Sequence, residues 1–482
     1  MRVLAGYQPE KVFKYFEEIC AIPHGSGNVK EISDYLVTFA KERGLQYRQD
    51  EKYNVIIRKY GSKGYEDSVP VILQGHMDMV AVKDPGVDKD MEKDGLDLAL
   101  EGDMIYARGT SLGGDDGIAV AYMLAVLDEE SLAHPPVEAV FTTDEEVGML
   151  GAAFLDCSDL KGRTLLNIDS EDEGVFTVSC AGGATIKCIF PVQREKKKLC
   201  RLTFEIDGLK GGHSGADIDK GTLNANLALG RILYGLAKET GLGIIDISGG
   251  EKDNAIPVWC RADLAISKED VRETADRARE IFDTIKEEYK TVEPGIKLSL
   301  SVKEPELVEL LRPVCAEKVT TALMNMPCGI QRMNPDMKDM VQTSLNLGVV
   351  RTEKDAVTMT FCVRSSSETE KRHLIDRILC LCGALGGSME VAGDYPGWEY
   401  QPRSRVRDVM VETFQELYRQ TPVVEGIHAG LECGLFSAKL PGLDAISFGP
   451  QINDIHTSRE RLSMESVKRT WELLLKTLEK LQ

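Results

Sequence analysis

The feature that most constrains this chain is a set of apolar, strand-like runs that end in histidine or acidic residues. In VILQGHMDMV, residues 71–80, an unbroken apolar run predicts a strand buried on both faces, and His76 and Asp78 follow it. Two further runs end in carboxylates: VFTTDEEVG, with Asp144, Glu145 and Glu146, and LLNIDSEDEG, with Asp169. A charge placed where a core strand emerges is costly unless a partner compensates it. The fold must therefore supply a partner for these side chains.

The surrounding pattern predicts an α/β fold. Helices are predicted at 9–20, 29–43 and 117–127, and strands at 54–59, 69–74, 137–142 and 164–168. Strands that alternate with helices indicate a layer built on a mostly parallel sheet. Ligands bind such open sheets at the carboxyl ends of the strands. The acidic residues are thus expected to gather at one edge.

The domain organisation follows from length and from changes of pattern along the chain. At 482 residues the chain is too long for one hydrophobic core. After about residue 185, alternating strands are separated by long charged helices such as 268–288, and the α/β pattern returns from about 396. We predict a mostly parallel-sheet sandwich catalytic domain formed by residues 1–184 and 396–482, with an inserted α+β domain at 185–395.

Charge and composition exclude several classes of partner. The net charge of −20 disfavours nucleic acid, because phosphate contacts need clustered basic residues. The one dense basic run, REKKK at 194–198, is predicted to be a solvated turn between two strands. No stretch resembles a signal peptide or a membrane span, and the twelve cysteines form no CxxC pair. These features predict a cytoplasmic protein with no nucleic-acid or membrane partner.

The acidic strand ends point to a metal site. Asp115 and Asp116 lie in the glycine-rich turn SLGGDDG before a predicted helix, and His456 follows the predicted strand DAISF. A single acid in a turn is more often a helix cap or a solvated side chain. Four acidic clusters at one sheet edge would repel one another, so a bound cation is the natural compensation. Histidine and carboxylate ligands without thiolate suit zinc, cobalt or manganese.

The motifs carry a family resemblance over essentially the whole chain. In order they are LQGHMDMV, GTSLGGDDGIAVAYMLAVL, TTDEEVGMLGA, NIDSEDEG, GLKGGHSG, DNAIPVWC, EGIHAGLECGLF and PQINDIHTSRERL. The chain resembles the dinuclear-zinc aminopeptidase, carboxypeptidase and aminoacylase family, and within it the aminoacyl-histidine dipeptidase branch. The resemblance implies a zinc-exopeptidase-like fold with a lid domain. It also implies a metallopeptidase that hydrolyses Xaa-His dipeptides such as β-alanyl-histidine.

The resemblance assigns roles at the sheet edge. Two divalent ions are implied, zinc first, with cobalt or manganese as alternatives. The implied ligands are His76 and Asp169 for one ion, Glu146 and His456 for the other, and Asp115 as the bridge. Glu145 would be the general base, and Asp78 would hold the imidazole of His76. Many relatives carry a lysine after the bridging aspartate, whereas this chain, like the dipeptidase branch, does not, and Asp116 stays a rival for the bridge.

The resemblance also implies substrate contacts in and near the lid. His213 would stabilise the oxyanion, while Asn254 and Arg364 would hold the backbone and terminal carboxylate of the substrate. His428 and Glu432, at i, i+4 spacing, would help hold the carboxyl end of the peptide. The alternatives are a solvated loop histidine at 213 and an Arg364 that pairs with Glu368.

Three functions therefore compete. The leading hypothesis is a metal-dependent dipeptidase that acts on a small peptide. The second keeps the same dinuclear site but hydrolyses N-acyl amino acids, as an aminoacylase does. The third is a non-catalytic binding protein braced by metal, in which Glu145 would be dispensable. The sequence leaves the oligomeric state open between a monomer and a homodimer.

Overall fold

The computed structural model describes residues 2–238 and 243–481, and the chain forms two compact units. The first comprises Met1–Cys180, Trp398–Gly426 and Leu431–Gln482, and the second comprises Ala181–Gly397 and Ile427–Gly430. The predicted divisions lay after residues 184 and 395, whereas the units divide after residues 180 and 397. The short segment Ile427–Gly430 also belongs to the second unit, which the sequence did not indicate.

The first unit alternates helices and strands. Its helices are α1 (Glu10–Cys20), α2 (Lys30–Glu42), α3 (Gly114–Asp128), α4 (Leu150–Phe154), α9 (Arg405–Tyr418), α10 (Glu432–Lys439) and α11 (Met464–Lys480). Its strands are β1 (Gln46–Gln49), β2 (Val55–Lys59), β3 (Val71–His76), β4 (Leu98–Glu101), β5 (Met104–Ala107), β6 (Val137–Thr142), β7 (Thr164–Asn167), β8 (Val175–Cys180), β18 (Val423–Ile427), β19 (Asp444–Ser447), β20 (Ile452–Asn453) and β21 (Arg461–Ser463).

The main sheet of the first unit has a parallel centre. Its strand order is β1-β2-β6-β3-β7-β19-β8-β18. β6, β3, β7 and β19 run parallel, and antiparallel pairings flank them on both sides. β3 and β6 are buried at every residue, as their unbroken apolar runs predict. The register sets His76 opposite Thr142 and Gln74 opposite Asn167, so the carboxyl ends of three strands meet at one edge.

Two features bring further residues to this edge. The helix α3 is buried from Gly117 to Leu127 and packs against β3 and α1, so its first turn begins beside the end of β3. A small antiparallel sheet, β20-β21-β5-β4, joins the C-terminal segment to a hairpin that precedes α3. The loop between β20 and β21 carries His456.

The second unit is α+β, as predicted. Its strands are β9 (Gly182–Pro191), β10 (Arg194–Asp207), β11 (Gly243–Gly249), β12 (Cys260–Ile266), β13 (Lys297–Leu311), β14 (Gly329–Met333), β15 (Val341–Thr352), β16 (Ala356–Ser365) and β17 (Ser388–Tyr395). Its α-helices are α5 (Ala225–Ala237), α6 (Val271–Glu288), α7 (Pro313–Asn325) and α8 (Glu368–Ala384). The strand order is β13-β10-β12-β11-β15-β16-β9-β17, with antiparallel neighbours, and apolar residues of the four helices share one core with the sheet.

The basic run at 194–198 is not the predicted turn. It forms the start of β10 and pairs antiparallel with the end of β13, from Arg194 opposite Leu311 to Lys198 opposite Leu307. Strand pairing satisfies the hydrogen bonds of the backbone here. The side chains of Lys196, Lys197 and Lys198 are exposed, so their charges stay in water. Across the described part of the chain, no helix is both long and apolar enough to span a membrane.

Candidate metal centre

Asp115 lies between the two histidines that the sequence singled out. Its Oδ1 is 3.0 Å from Nε2 of His76, and its Oδ2 is 3.1 Å from Nε2 of His456. One carboxylate therefore reaches both imidazoles, although 341 residues separate Asp115 from His456 along the chain. This is the geometry that the predicted bridging role requires.

Two further carboxylates complete the cluster, one beside each imidazole. Oδ1 of Asp169 is 3.5 Å from Nε2 of His76, and Oε1 of Glu146 is 3.0 Å from Nε2 of His456. Ligand-type atoms of His76, Asp115 and Glu146 all lie within 4.8 Å of one another. The structure thus brings the five predicted ligands together, two on each side of Asp115.

Asp116, the rival for the bridge, lies behind this cluster. It also groups within 4.8 Å with His76 and Asp169, so proximity alone does not exclude it. Its side chain is only 2% exposed, and its Oδ2 accepts a hydrogen bond from the backbone N–H of His76 at 3.1 Å. Burial raises the pKa of the Asp116 carboxyl well above its ordinary value. Asp115 is the better candidate because its two oxygens face two different imidazoles.

The local backbone explains how these side chains reach one point. β3 ends at His76, while Asp169 lies two residues past the end of β7. Asp115 and Asp116 have non-helical dihedral angles within the first turn of α3. Asp144, next to Glu145, and His456 have φ values of 53° and 60°, a left-handed conformation that is uncommon outside glycine. Such conformations cluster where a structure holds functional groups in place.

The electrostatics show that the cluster requires positive charge. The neighbouring carboxylates of Asp115 and then Glu146 raise the pKa of His456 to about 10. Burial lowers the pKa of His76, but Asp169 and Asp115 outweigh burial and raise it well above its ordinary value. Burial raises the pKa of Asp169. These directions favour protonated imidazoles and a neutral Asp169, so the cluster gains from added positive charge.

The donor set fits a divalent cation. Oε1 of Glu146 is buried and lies 3.0 Å from the imidazole of His456, yet no hydrogen bond reaches it. Carboxylate oxygens and imidazole nitrogens with no thiolate are ligands that zinc, cobalt and manganese accept. The orphaned oxygen and the excess of acids both indicate that the residues present can hold such an ion.

Asp78 and Glu145 lie directly beside the ligands. Oδ1 of Asp78 accepts the backbone N–H of Glu145 at 3.1 Å, and Oδ2 accepts the hydroxyl of Ser26 at 2.8 Å. Nδ1 of His76 is 3.0 Å from the backbone carbonyl of Asp78 but 3.6 Å from its carboxylate. Residue 78 therefore orients the imidazole mainly through its carbonyl, while its carboxylate fixes the backbone at Glu145. Burial raises the pKa of Glu145 to about 9.

The prediction that Glu432 contacts substrate is wrong. The side chain is 0% exposed, and its Oε2 accepts hydrogen bonds from Gln74 at 2.5 Å and Thr142 at 2.6 Å. Gln74 in turn accepts a hydrogen bond from Asn167 at 2.6 Å. Glu432 therefore ties together β3, β6 and β7 beneath the cluster, and it has no surface to offer a peptide. α10 begins at Glu432, so His428 precedes the helix and does not share its face.

Sequence reasoning missed this buried network. Gln74 and Asn167 each lie two residues before a candidate ligand, inside a run that is otherwise apolar. A polar residue in the middle of a fully buried strand needs a hydrogen-bond partner. That requirement was the available signal, and it identifies the strand positions but not the partner at 432.

The second unit gathers three of the remaining predicted residues. Nη2 of Arg364 is 3.3 Å from Nε2 of His213, and Nε2 of His428 is 2.7 Å from the hydroxyl of Ser344. A Cβ on Gly215 would lie 2.3 Å from the carbonyl of His428 and 3.2 Å from Nε of Arg364, so only glycine fits there. The fourth residue, Asn254, is exposed, and its carbonyl accepts the N–H of Ser214.

Arg364 is buried without a matching charge. It is 7% exposed, its Nε has no hydrogen-bond partner, and within residues 2–238 and 243–481 it forms no salt bridge. The side chain of Glu368 instead pairs with Lys371 and Arg372. The alternative in which Arg364 pairs with Glu368 is therefore contradicted. Burial and then Arg364 lower the pKa of both His213 and His428, the latter to about 3, so both imidazoles are neutral at pH 7.

Comparisons with known proteins identify the family and agree with the fold. The profile of "Peptidase family M20/M25/M40" matches residues 72–480. The cytosol non-specific dipeptidase of Escherichia coli (strain K12) is 36% identical over 493 aligned residues, which cover 100% of this chain and 99% of the relative. The crystal structure of aminoacylhistidine dipeptidase from Vibrio alginolyticus matches with a TM-score of 0.94 and 34% identity, covering 99% of this chain and 98% of that one.

A more distant structure shares the fold alone. It is an aminopeptidase from Bacillus cereus, with a TM-score of 0.57 and 16% identity over 98% of this chain and 99% of that one. The family match spans most of the chain, and the curated relative spans all of it. This chain belongs to peptidase family M20/M25/M40.

Proposed function

We propose that this protein is a metal-dependent dipeptidase that hydrolyses short peptides with a free C-terminal carboxylate, Xaa-His dipeptides such as β-alanyl-histidine among them. The observation that carries the proposal is the convergence of five ligand-type side chains beside Glu145, whose carboxylate is not required as a ligand. Two relatives that align over essentially the whole chain, both of them dipeptidases, support the substrate class.

The proposal includes two divalent ions, zinc in the first place. His76 and Asp169 would hold one ion, Glu146 and His456 the other, with Asp115 shared. Bound ions of this kind polarise a scissile carbonyl and lower the pKa of water toward about 7.

We assign the proton transfer to Glu145. Asp78 fixes its backbone by accepting its N–H, and the nearby acids Asp169 and Glu146 add to the effect of burial in raising the pKa of its carboxyl. Nearby cations would lower this pKa, so that the ionised carboxylate could take a proton from the attacking water near neutral pH. The same carboxyl can then deliver the proton to the leaving amine.

The four residues that the family resemblance assigns to the substrate, His213, Asn254, Arg364 and His428, lie in the second unit. A buried guanidinium without a carboxylate partner gains most from one, so we assign the terminal carboxylate of the peptide to Arg364. His213 is neutral and can donate a hydrogen bond to a developing oxyanion without carrying a charge of its own. We assign Asn254 to the substrate backbone and His428 to the carboxyl end of the peptide.

A substrate panel tests the proposal. Release of free histidine from Xaa-His dipeptides is compared with release from N-acyl amino acids at equal concentration. We expect the dipeptides to be the better substrates and Glu145→Gln to lower kcat about 10²–10⁴-fold. Elemental analysis is expected to find the same number of ions per chain in the variant.

The other hypotheses predict different outcomes. Faster hydrolysis of N-acyl amino acids would identify an amidohydrolase that uses the same site. Full ion occupancy with no turnover of either class would favour the non-catalytic binding protein.

The proposal extends to the setting of the enzyme. We propose that it acts in the cytoplasm, on small peptides, without a nucleic-acid or membrane partner. A homodimer stays an open alternative to a monomer, and sedimentation of the metal-loaded protein would decide between them.

A further inference from the structure

Glu460 makes an unusual contact with the loop that carries Asp115. Its carboxylate accepts hydrogen bonds from four consecutive backbone N–H groups. Oε2 accepts from Leu112 at 2.7 Å and Gly113 at 3.0 Å, and Oε1 accepts from Gly114 at 2.8 Å and Asp115 at 3.3 Å. Glu460 is 2% exposed, so water does not compete for these bonds.

The loop is shaped to admit this carboxylate. Gly113 adopts φ 66°, and a Cβ there would lie 2.7 Å from Sδ of Met79. A Cβ on Gly114 would lie 3.1 Å from Oε1 of Glu460. The two glycines therefore allow the backbone to wrap closely around the carboxylate. An ionised carboxylate has about four lone-pair sites, which matches the four donors.

The same carboxylate connects two candidate ligands. Glu460 lies four residues after His456, and its backbone N–H donates to the carbonyl of Thr457, which closes the turn between them. At its other end it holds the N–H of Asp115, whose oxygens face His76 and His456. One buried side chain thus ties the loop between β20 and β21 to the first turn of α3.

We infer that Glu460 is a positioning residue that sets the affinity of the site for divalent ions by fixing Asp115 relative to His456. It does not touch the ligand atoms and acts through the backbone of residues 112–115. The inference rests on the proposed metal centre. Partners that orient metal ligands typically contribute about 10–100-fold to metal affinity.

Glu460→Gln is the sharpest test. An amide keeps one acceptor oxygen, and its NH₂ group would face two backbone N–H donors, so at least two hydrogen bonds are lost. Zn²⁺ and Mn²⁺ affinities of the apoprotein are measured by competition with a chromophoric chelator. We expect the variant to bind each ion about tenfold or more weakly than the unsubstituted protein.

Glu138→Gln is the matched control. Glu138 is also a buried carboxylate that accepts two backbone N–H groups, from Lys161 and Gly162, but it lies at the opposite end of β6 from the cluster. We expect this variant to lose thermal stability in the presence of EDTA while its ion affinity stays within about twofold. A loss of affinity in Glu138→Gln as large as in Glu460→Gln would overturn the inference, because any destabilisation would then suffice.

Gly114→Ala approaches the same contact from the other side. Its Cβ would press on Oε1 of Glu460 while the carboxylate is retained, so we expect weaker ion binding here as well. This variant and Glu460→Asp, which is one methylene shorter, keep the test decisive if Glu460→Gln does not fold. Wild-type affinity in the folded variants would overturn the inference. Failure of the unsubstituted protein to bind either ion would instead overturn the proposed metal centre.

Discussion

At the scale of single residues, the acids of the centre fall into two groups. Some face the candidate metal position, and others are buried in the core beneath the ligands. Glu432 and Asp116 are buried acids that support the ligands from the core, whereas Asp115 faces both imidazoles. A carboxyl group buried in the core in this way is stable only when it is neutral or fully hydrogen-bonded. Burial raises the pKa of Glu432 to about 8, which favours its neutral form.

This arrangement predicts how Glu432 responds to substitution. Glu432→Ala leaves the amide of Gln74 and the hydroxyl of Thr142 without their partner and opens a cavity, so we expect a loss of about 2–4 kcal/mol in the free energy of unfolding. Glu432→Gln keeps the volume and an acceptor and is expected to lose about 1 kcal/mol. Urea unfolding in EDTA measures both.

The kinetics of Glu432→Gln distinguish a role in supporting the metal ligands from a role in contacting the substrate. Because Glu432 has no exposed surface, we expect Glu432→Gln to leave KM for a dipeptide within about twofold of the unsubstituted enzyme. A KM raised tenfold would instead restore the role in substrate binding that the sequence indicated.

His428 predicts a pH dependence of stability in the second unit. Its pKa is lowered to about 3 by burial and by Arg364, while the unfolded chain has the ordinary value of about 6.5. Below pH 6.5 the unfolded state binds a proton that the folded state does not, so stability falls as pH falls toward 3. Relative to pH 7, the loss from this group at pH 5 is about 2 kcal/mol.

Comparison with His428→Gln isolates this contribution. The variant lacks the titrating group, so its stability relative to the unsubstituted protein is expected to rise by about 2 kcal/mol between pH 7 and pH 5. Urea unfolding followed by hydrogen exchange in β15 and β16 reports on the unit that holds Ser344 and Arg364. An unchanged difference between the two pH values would show that the imidazole is solvated.

At the scale of secondary-structure elements, the site depends on how closely α3 approaches β3. A Cβ on Gly75 would lie 2.5 Å from Oδ2 of Asp116 and 2.6 Å from Cβ of Ala119. The helix and the strand therefore touch through a position that admits no side chain. This approach places the first turn of α3 beside His76.

Gly75→Ala is expected to force the two elements apart. The cost is about 1–3 kcal/mol in the free energy of unfolding, because a packed core does not absorb an added methyl group. Gly117→Ala, in the same helix, is the control, since its Cβ would meet Phe16 and Ile19 at an ordinary 3.6 Å. The control is expected to be neutral or stabilised by up to about 1 kcal/mol through helix propensity. Equal losses in the two variants would contradict the close approach.

Sequence patterns predicted most elements because hydrophobic periodicity reports local burial. The strand at 137–142 and the helix at 9–20 are found within one residue of their predicted bounds. The pattern failed at 194–198, where strand pairing with β13 overrides a charged composition. Lysines do not exclude a strand when its side chains can reach water.

For the candidate site as well, local sequence patterns identified some residues and missed others. Strand ends identified the candidate ligands, because parallel strands carry their carboxyl ends to one edge. Glu460 gave no such signal, since an acid in a loop is most often solvated and its partners lie about 345 residues away in the sequence. The left-handed backbone at His456 and the burial of Glu432 are likewise products of tertiary packing.

At the scale of the whole molecule, the acidic centre belongs to one unit only. The ligands, Glu145, Glu432 and Glu460 all lie in the first unit, whereas Arg364, His213 and His428 lie in the second. Removing bound cations therefore leaves uncompensated carboxylates in the first unit alone. Ion binding to the folded state stabilises that state by mass action, by about 4 kcal/mol when free ion exceeds the dissociation constant a thousandfold.

Chelation is thus expected to act on the two units differently. Hydrogen exchange measured with and without EDTA is expected to show lost protection at the ends of β3, β6 and β7 and in the loop at 454–460, because repulsion there is no longer offset. Protection in β9, β12 and β16 of the second unit is expected to stay unchanged. Equal loss in both units would mean that the cations stabilise the whole chain, and no loss in either would mean that protons alone compensate the cluster.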